Sequence, residues 1–289
     1  MTTLVTGATG AIGRAVIAQL VEAGVPVRAL TRDPESARLP AAAGVFRGDL
    51  ADPATLGEAL QGVDGMFLFC VPQTAREVVA RARSAGVRRI VVLSAGAVTY
   101  GMDTEFHLPV ELAVEESGLE WTHVRPGEFA YNKVPLWGPS IRAERTVHYP
   151  GPERLQTCPV HEQDVAAVAT SALVTDAHVG KAYTFTGPGK ITLREQVQAI
   201  AAAIGEPIRF DEVSPEEALA IARQQGGRTR EAAEVMLGFL TLYAARPTGA
   251  DAPPPQAPVQ AALPTIEQIL GQPARTFQQW ARDHVADFR

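Results

Sequence analysis

Three glycines spaced three residues apart, Gly7, Gly10 and Gly13, stand where the apolar run Thr3-Leu4-Val5 gives way to the helical pattern Ala15 to Val21. The chemistry served by that order is recognition of a diphosphate. Gly7 lets the chain turn sharply, Gly10 lets backbone approach phosphate oxygens with no Cβ in the way, and Gly13 lets the helix pack close to its strand. The amides that open the helix, those of Ala11, Ile12 and Gly13, lack intrahelical acceptors and face an anion held beside Thr9. The plainer alternative is a tight strand-to-helix turn with no ligand. A strand before the glycines and an apolar helix after them favour dinucleotide binding.

A second chemical signal follows the run Val25 to Thr31. A carboxylate at the end of a second strand accepts bonds from ribose hydroxyls, whereas an arginine there meets a 2′-phosphate through two parallel charge-assisted bonds. Arg32 holds that place, and a contact of this kind is worth roughly 1.5 to 3 kcal/mol. The residue type points to NADP(H). The alternative is that Asp33 takes the ribose and Arg32 is a solvated loop residue.

Positioning such groups takes a sheet. After the first helix, Val25 to Thr31 and Gly44 to Asp49 read as strands. Then come a strand over Val63 to Phe69, a helix over Thr74 to Gly86, a strand over Val87 to Leu93, a helix over Glu105 to Gly118 and a strand over Leu119 to Arg125. Strands apolar nearly throughout, separated by helices, imply an α/β fold: a doubly wound, Rossmann-type parallel sheet covered on both faces, with ligand beyond the C-terminal strand ends. Residues 1–131 are expected to form this nucleotide-binding core. Residues 132–289 are expected to be mainly a smaller C-terminal substrate-side lobe, with some elements returning to the core. Pro135, Pro139, Pro150, Pro152 and Pro159 are expected to interrupt any long helix before one resumes at Val165, and residues 250–264, rich in Pro, Ala and Gln, read as an extended connection or loop.

Composition narrows the partners. With 289 residues, 46% hydrophobic and 20% charged, and a formal charge of −6, the chain is ordinary for a globular protein and poorly suited to general nucleic-acid or anionic-membrane affinity. A small-molecule partner is expected, in a cytoplasmic monomer or homodimer, since neither a basic-then-apolar leader nor a spanning apolar run is evident. Cys70 and Cys158, the only two cysteines, read as small core or pocket-wall residues. No metal-ligand spacing of His, Cys, Asp and Glu is seen, so no metal is expected.

The chain resembles the atypical short-chain dehydrogenase/reductases, specifically the NmrA-like group with its quinone-, azo- and triphenylmethane-reductase relatives. The resemblance is carried by Thr6 to Gly13, Leu30 to Pro34, Gly48-Asp49-Leu50, Val92 to Ala95, His107 to Glu111, Ser117 to Thr122, Arg125 to Phe129, Thr186-Gly187-Pro188 and Arg275 to Ala281, nearly the whole chain. It implies that Asp49 and Leu50 border the adenine, and that Cys70-Val71-Pro72 line the path towards the nicotinamide ribose. It also implies a departure. Standard members protonate the carbonyl oxygen with a Tyr-x-x-x-Lys pair; here His107 and Glu111 stand at that place, and none of the five tyrosines has a lysine four residues later.

Such general acid catalysis is worth roughly a hundredfold to ten-thousandfold. Either Ser94, in the place of the superfamily's catalytic serine, orients the substrate oxygen while His107 supplies a proton, or the substrate stabilises its own product anion with Ser94 and His107 as orienting groups. The second is favoured. For substrate, the loop after Ser94 and the segment after the sixth strand offer Tyr100, Met102, Phe106, Phe129, Tyr131, Asn132 and Trp137, suited to a planar aromatic ligand, although core packing must account for at least half of them. Lys133 and Glu128 are polar candidates at the mouth. The expected function is an NADPH-dependent reductase of a carbonyl or quinoid centre in a planar aromatic molecule, an aromatic-polyketide ketoreductase or a quinone reductase. The alternative is a non-catalytic NADP(H) sensor that binds a protein partner.

Overall fold

The computed structural model describes residues 1–244 and 266–289; the Pro/Ala-rich stretch expected over 250–264 lies outside them. In chain order the elements begin β1 (Thr3–Val5), α1 (Ala11–Glu22), β2 (Val27–Thr31), β3 (Ala43–Arg47), α2 (Gly57–Leu60), β4 (Gly65–Phe69), α3 (Ala75–Ser84), β5 (Arg89–Leu93), α4 (Gly96–Thr99), α5 (Leu108–Glu115) and β6 (Glu120–Pro126). They continue α6 (Lys133–Glu144), β7 (Thr146–Tyr149), β8 (Gln156–Thr157), α7 (Glu162–Val174), β9 (Lys181–Phe185), β10 (Ile191–Thr192), α8 (Leu193–Ile204) and β11 (Arg209–Glu212). The last are α9 (Pro215–Gln225), α10 (Gly227–Ala244), α11 (Ile266–Leu270), α12 (Phe277–Asp283) and α13 (Val285–Phe288).

The chain divides into two compact units, one of Met1–Gly127, Glu162–Phe185 and Leu263–Ala274, the other of Glu128–His161, Thr186–Ala262 and Arg275–Arg289. The first carries a seven-stranded sheet in the order β3-β2-β1-β4-β5-β6-β9, parallel at every pairing. Its central strands are largely buried, β5 from end to end, because helices lie against both faces. α1 packs on α7 and α7 on α11, while α3 packs on α5. The doubly wound sheet read from the sequence is the fold found. Strand order reverses between β1 and β4, and the C-terminal ends of those two strands therefore open a crevice at the topological switch point.

The second unit holds the parallel pair β7–β11, the antiparallel pair β8–β10, and a core in which Trp137, Ile141, Val147, Ile200, Trp280 and Phe288 are buried. The expectation about prolines needs correction here. α6 runs for twelve residues through both Pro135 and Pro139. Pro135 is the third residue of the helix, where no intrahelical acceptor awaits its amide, so a missing N–H costs nothing. Pro139 does forgo one bond, a cost of about 3 kcal/mol, against which stands the burial of Trp137 and Ile141 on either side of it. The helix ends at Arg145, whose left-handed φ of 52° closes it.

Candidate active site

The glycine loop has the form that the diphosphate reading requires. Gly7 adopts φ +59°, and Gly10 is the N-cap of α1 with no side chain capping it and no acid in the first turn. A Cβ on Gly13 would lie 2.2 Å from the Gly7 carbonyl oxygen, so helix and loop meet backbone to backbone. A Cβ on Gly10 would stand 3.3 Å from that same oxygen. The loop is braced from behind: the Thr6 hydroxyl donates to the Phe67 carbonyl (3.0 Å) and accepts from the Phe69 amide (2.7 Å), locking the ends of β1 and β4 together. The unpaired amides of Ala11, Ile12 and Gly13 beside exposed Thr9 fit a dinucleotide diphosphate.

Two features of this crevice are not evident from the sequence. Phe69 ends β4 with its ring against Gly7 and is 44% exposed, a large aromatic left open at the switch point. Its one signal is an aromatic closing an otherwise buried strand. Arg14 donates to the carbonyls of Thr9 (3.0 Å), Ala37 (2.8 Å) and Arg38 (2.8 Å), tying the loop after β2 to the first turn of α1. That loop carries Arg32, which is exposed and whose carbonyl accepts from Arg47 at 2.8 Å. Asp33, its rival for the ribose, is turned into its own loop, accepting from the Ser36 hydroxyl at 2.7 Å, and that bond foremost holds its carboxyl below the ordinary range. Arg32→Ala should therefore weaken NADPH binding by about tenfold to a hundredfold while changing NADH binding little. Parallel titrations with the two coenzymes read the difference directly.

Other residues named from the sequence are placed less openly. Asp49 uses one carboxylate oxygen to accept from the Ala51 amide at 2.9 Å, and the Leu50 side chain is buried in the core. Val71 and Pro72 are half-buried. Cys70 is corrected: its thiol points into the core and donates to the Leu93 carbonyl at 3.2 Å, and burial pushes its pKa far up, so it packs rather than lining a path.

At the end of β5, Ser94 is 1% exposed, its amide donates to the Val124 carbonyl at 2.8 Å, and its hydroxyl has no partner in full hydrogen-bond geometry. Glu111, on α5, is also 1% exposed and is paired through both oxygens with Arg125 of β6. Burial works against its charge, but the Arg125 bonds, with smaller help from His123 and the nearby Ser94 hydroxyl, hold its carboxyl below the ordinary range. Glu115 accepts from or shares a proton with His123 Nε2 at 2.9 Å. Glu111 and Glu115, four residues apart on α5, gather within 4.8 Å of His123 of β6, and with Glu111 taken by a guanidinium the group is an ion-pair network. His107, at the start of α5, contacts the Asp103 carboxylate, a partner not anticipated from sequence. The helix begins at Leu108 rather than near Glu105, and in the turn before it the amides of Phe106 and His107 both donate to Asp103. Tyr100 is half-buried in the loop after Ser94.

The second unit holds the remaining candidates. Phe129 is half-buried and Asn132 is exposed just before α6. Trp137 is corrected: at 1% exposed it packs edge-on against Tyr149 with ring centroids 6.2 Å apart, and the Lys133 ammonium lies 4.9 Å from its ring, so it is core. Lys133 is buried in an ion pair with Glu128.

A family profile described as NAD(P)H-binding matches residues 7–176, well over half of the chain and the whole of the glycine loop. The chain belongs to the NAD(P)H-binding family. Among curated proteins it is 37% identical to (4-alkanoyl-5-oxo-2,5-dihydrofuran-3-yl)methyl phosphate reductase of Streptomyces griseus, covering 99% of this chain and 98% of that one. It is 34% identical to the NAD(P)H azoreductase of Xenophilus azovorans, again covering 99% and 98%. The fold matches that of Citrobacter sp. triphenylmethane reductase, solved with NADP(H), at a TM-score of 0.75 and 20% identity over 99% of this chain and 100% of that one. This NAD(P)H-binding protein is an NAD(P)H-dependent oxidoreductase. Among its described residues no helix is long and apolar enough to cross a membrane.

Proposed function

We propose that this reductase uses NADPH to reduce a carbonyl or quinoid centre of a planar, conjugated small molecule, aromatic in the leading case. The observation that carries the reading is the Ser94 hydroxyl, buried at the C-terminal end of β5 with no fully formed bond of its own, in a chain lacking any Tyr-x-x-x-Lys pair. The Glu111 carboxylate that it leans towards is already held through both oxygens by Arg125, so the hydroxyl at this ligand-facing strand end can turn to a ligand atom. Support for the substrate class comes from the two curated relatives, whose names describe unsaturated acceptors, an azo group and an alkanoyl-oxo-dihydrofuran. In such acceptors the charge left by reduction spreads over a conjugated frame, which lowers the demand on the protein for a strong acid.

When bound, reduced nicotinamide supplies the hydride. The chain's own residues do the rest. The helix-opening amides and Gly10 hold the diphosphate, Arg32 holds the 2′-phosphate, Ser94 orients the substrate oxygen, and His107 stands by to exchange a proton. Glu111, ionised and fixed by Arg125, stands behind Ser94 as a competing acceptor, so the hydroxyl turns to the ligand only when the ligand oxygen carries developing negative charge. Tyr100, Phe129 and Asn132 are the proposed substrate contacts.

The test is consumption of NADPH against a panel of quinones, hydroxylated aromatic ketones, azo dyes and alkanoyl butenolides. Turnover with at least one conjugated carbonyl or quinone, slowed about tenfold or more by Ser94→Ala, supports the reading. Tight cofactor binding with no turnover across the panel would instead mark a sensor that reports NADP(H) to a protein partner.

A further inference from the structure

The imidazole of His107 is gripped from one side only. Asp103 accepts the amides of Phe106 and His107 on Oδ1, each at 3.0 Å, and engages the ring Nδ1 with Oδ2. Phe106 meets the ring edge-on with centroids 4.8 Å apart. The Asp103 side chain is 9% exposed and that of His107 23%. Burial raises the Asp103 carboxyl, but the bonds from the His107 ring and the two amides outweigh it and keep the group in its charged form. Among the described residues no hydrogen-bond partner meets Nε2 of His107. A carboxylate that merely closes the turn before α5 needs one oxygen for the two amides. The second oxygen, on the ring, is what closing the turn leaves unexplained.

A carboxylate can only accept, so Nδ1 keeps its proton whether the ring is neutral or charged, and every proton that enters or leaves the ring passes through Nε2. We propose that Asp103 is a positioning residue that fixes the His107 tautomer, making Nε2 the atom that gives the substrate oxygen its proton. This rests on the reading of His107 as a site residue given above. The balance closes with the established coenzyme as reductant. Hydride bonds to the acceptor carbon, the displaced π pair passes to the acceptor oxygen, and that oxygen takes the proton from Nε2. The ring falls from imidazolium to the neutral form protonated at Nδ1, the form that Asp103 accepts from, and solvent returns the proton to Nε2. The coenzyme leaves oxidised and the acceptor reduced.

Asp103→Asn is a pointed substitution. Its carbonyl oxygen must still serve the two backbone amides, which turns the NH₂ group, a donor, towards Nδ1 and forces the ring proton to Nε2. Long-range proton–nitrogen NMR of the ¹⁵N-labelled full chain without coenzyme, at a pH where imidazoles are neutral, reads this directly, with His107 assigned by the signals lost in His107→Gln. The wild type is expected to carry its proton on Nδ1, and Asp103→Asn on Nε2. With 1,4-naphthoquinone or 2-hydroxyacetophenone, whichever is turned over, Asp103→Asn is expected to lower kcat by about a hundredfold, with KM for NADPH within about threefold, and to cost nothing further in a His107→Gln background. Asp103→Ser, which keeps an acceptor oxygen for the amides of the turn before α5 but cannot reach the ring in the same way, should lose kcat comparably and guards against a folding failure. A wild-type ring protonated on Nε2, a tautomer unmoved by Asp103→Asn, or losses that multiply independently in the double variant would each overturn the proposal. A tautomer that switches as expected while kcat stays unchanged for both Asp103→Asn and His107→Gln would overturn the site reading of His107 itself, and with it the catalytic part of the inference.

Discussion

Replacing Gly13 by valine should abolish NAD(P)H binding and destabilise the first unit. Even the first carbon of the new side chain would lie 2.2 Å from the Gly7 carbonyl oxygen and 2.8 Å from the carbon bearing it, both backbone atoms that cannot swing aside. The only relief is for α1 to retreat from the loop, and this opens the cradle that the amides of Ala11, Ile12 and Gly13 form around a diphosphate. Overpacking of this kind costs about 1 to 3 kcal/mol in stability, and a fall of roughly a hundredfold or more in affinity should follow from the displaced amides. Gly57→Ala is the control: that glycine opens α2 with nothing within 4 Å of an added Cβ and an ordinary helical φ of −53°. It should bind as wild type. Coenzyme titration and urea unfolding of the three proteins measure both effects.

Arg125→Met should be the most destabilising single change near the site, by about 3 to 5 kcal/mol. It strands the Glu111 carboxylate, 1% exposed, without the guanidinium that satisfies both its oxygens. Removing both partners together, as Glu111→Leu with Arg125→Met, should recover much of that loss, because two apolar groups leave no charge to desolvate. The pH dependence has a definite sign. Because the Glu111 carboxyl is held below its ordinary value in the folded chain, its contribution is fully present above that ordinary value, about 4.3, and is lost as pH falls through the folded one. The stability gap between wild type and Glu111→Gln should therefore narrow in acid below about pH 4. Urea midpoints taken at intervals from about pH 3 to about pH 7 would show it.

What could be read from the sequence was what short segments determine by themselves. Gly7, Gly10 and Gly13 act within one turn of chain, and the apolar runs of β4 and β5 need only their own hydrophobicity to declare a sheet buried on both faces. Arg32 declares itself by following β2. What could not be read arises where distant segments meet. Arg125 reaches Glu111 across 14 residues from a different element, and Arg14 reaches Ala37 across 23. Asp103 and His107 are close in sequence, but only the irregular turn before α5 brings both amides and the ring onto one carboxylate. Trp137 and Cys70 mislead for the opposite reason: each is a residue type suited to a pocket wall, and only packing reveals that Trp137 faces Tyr149 and that the Cys70 thiol faces the Leu93 carbonyl. Pro135 and Pro139 mislead because a proline's cost depends on its place in the helix, which sequence periodicity does not fix.

Whether the Gly7–Gly13 cradle holds a reduced nicotinamide coenzyme for reaction is decided by an equilibrium titration of the full chain with NADPH, followed by nicotinamide fluorescence. A saturable one-to-one change is expected, one that NADP⁺ competes away and that Gly13→Val removes. A signal linear in NADPH throughout, or a saturable one that persists undiminished in Gly13→Val, would show that the cradle does not bind the coenzyme.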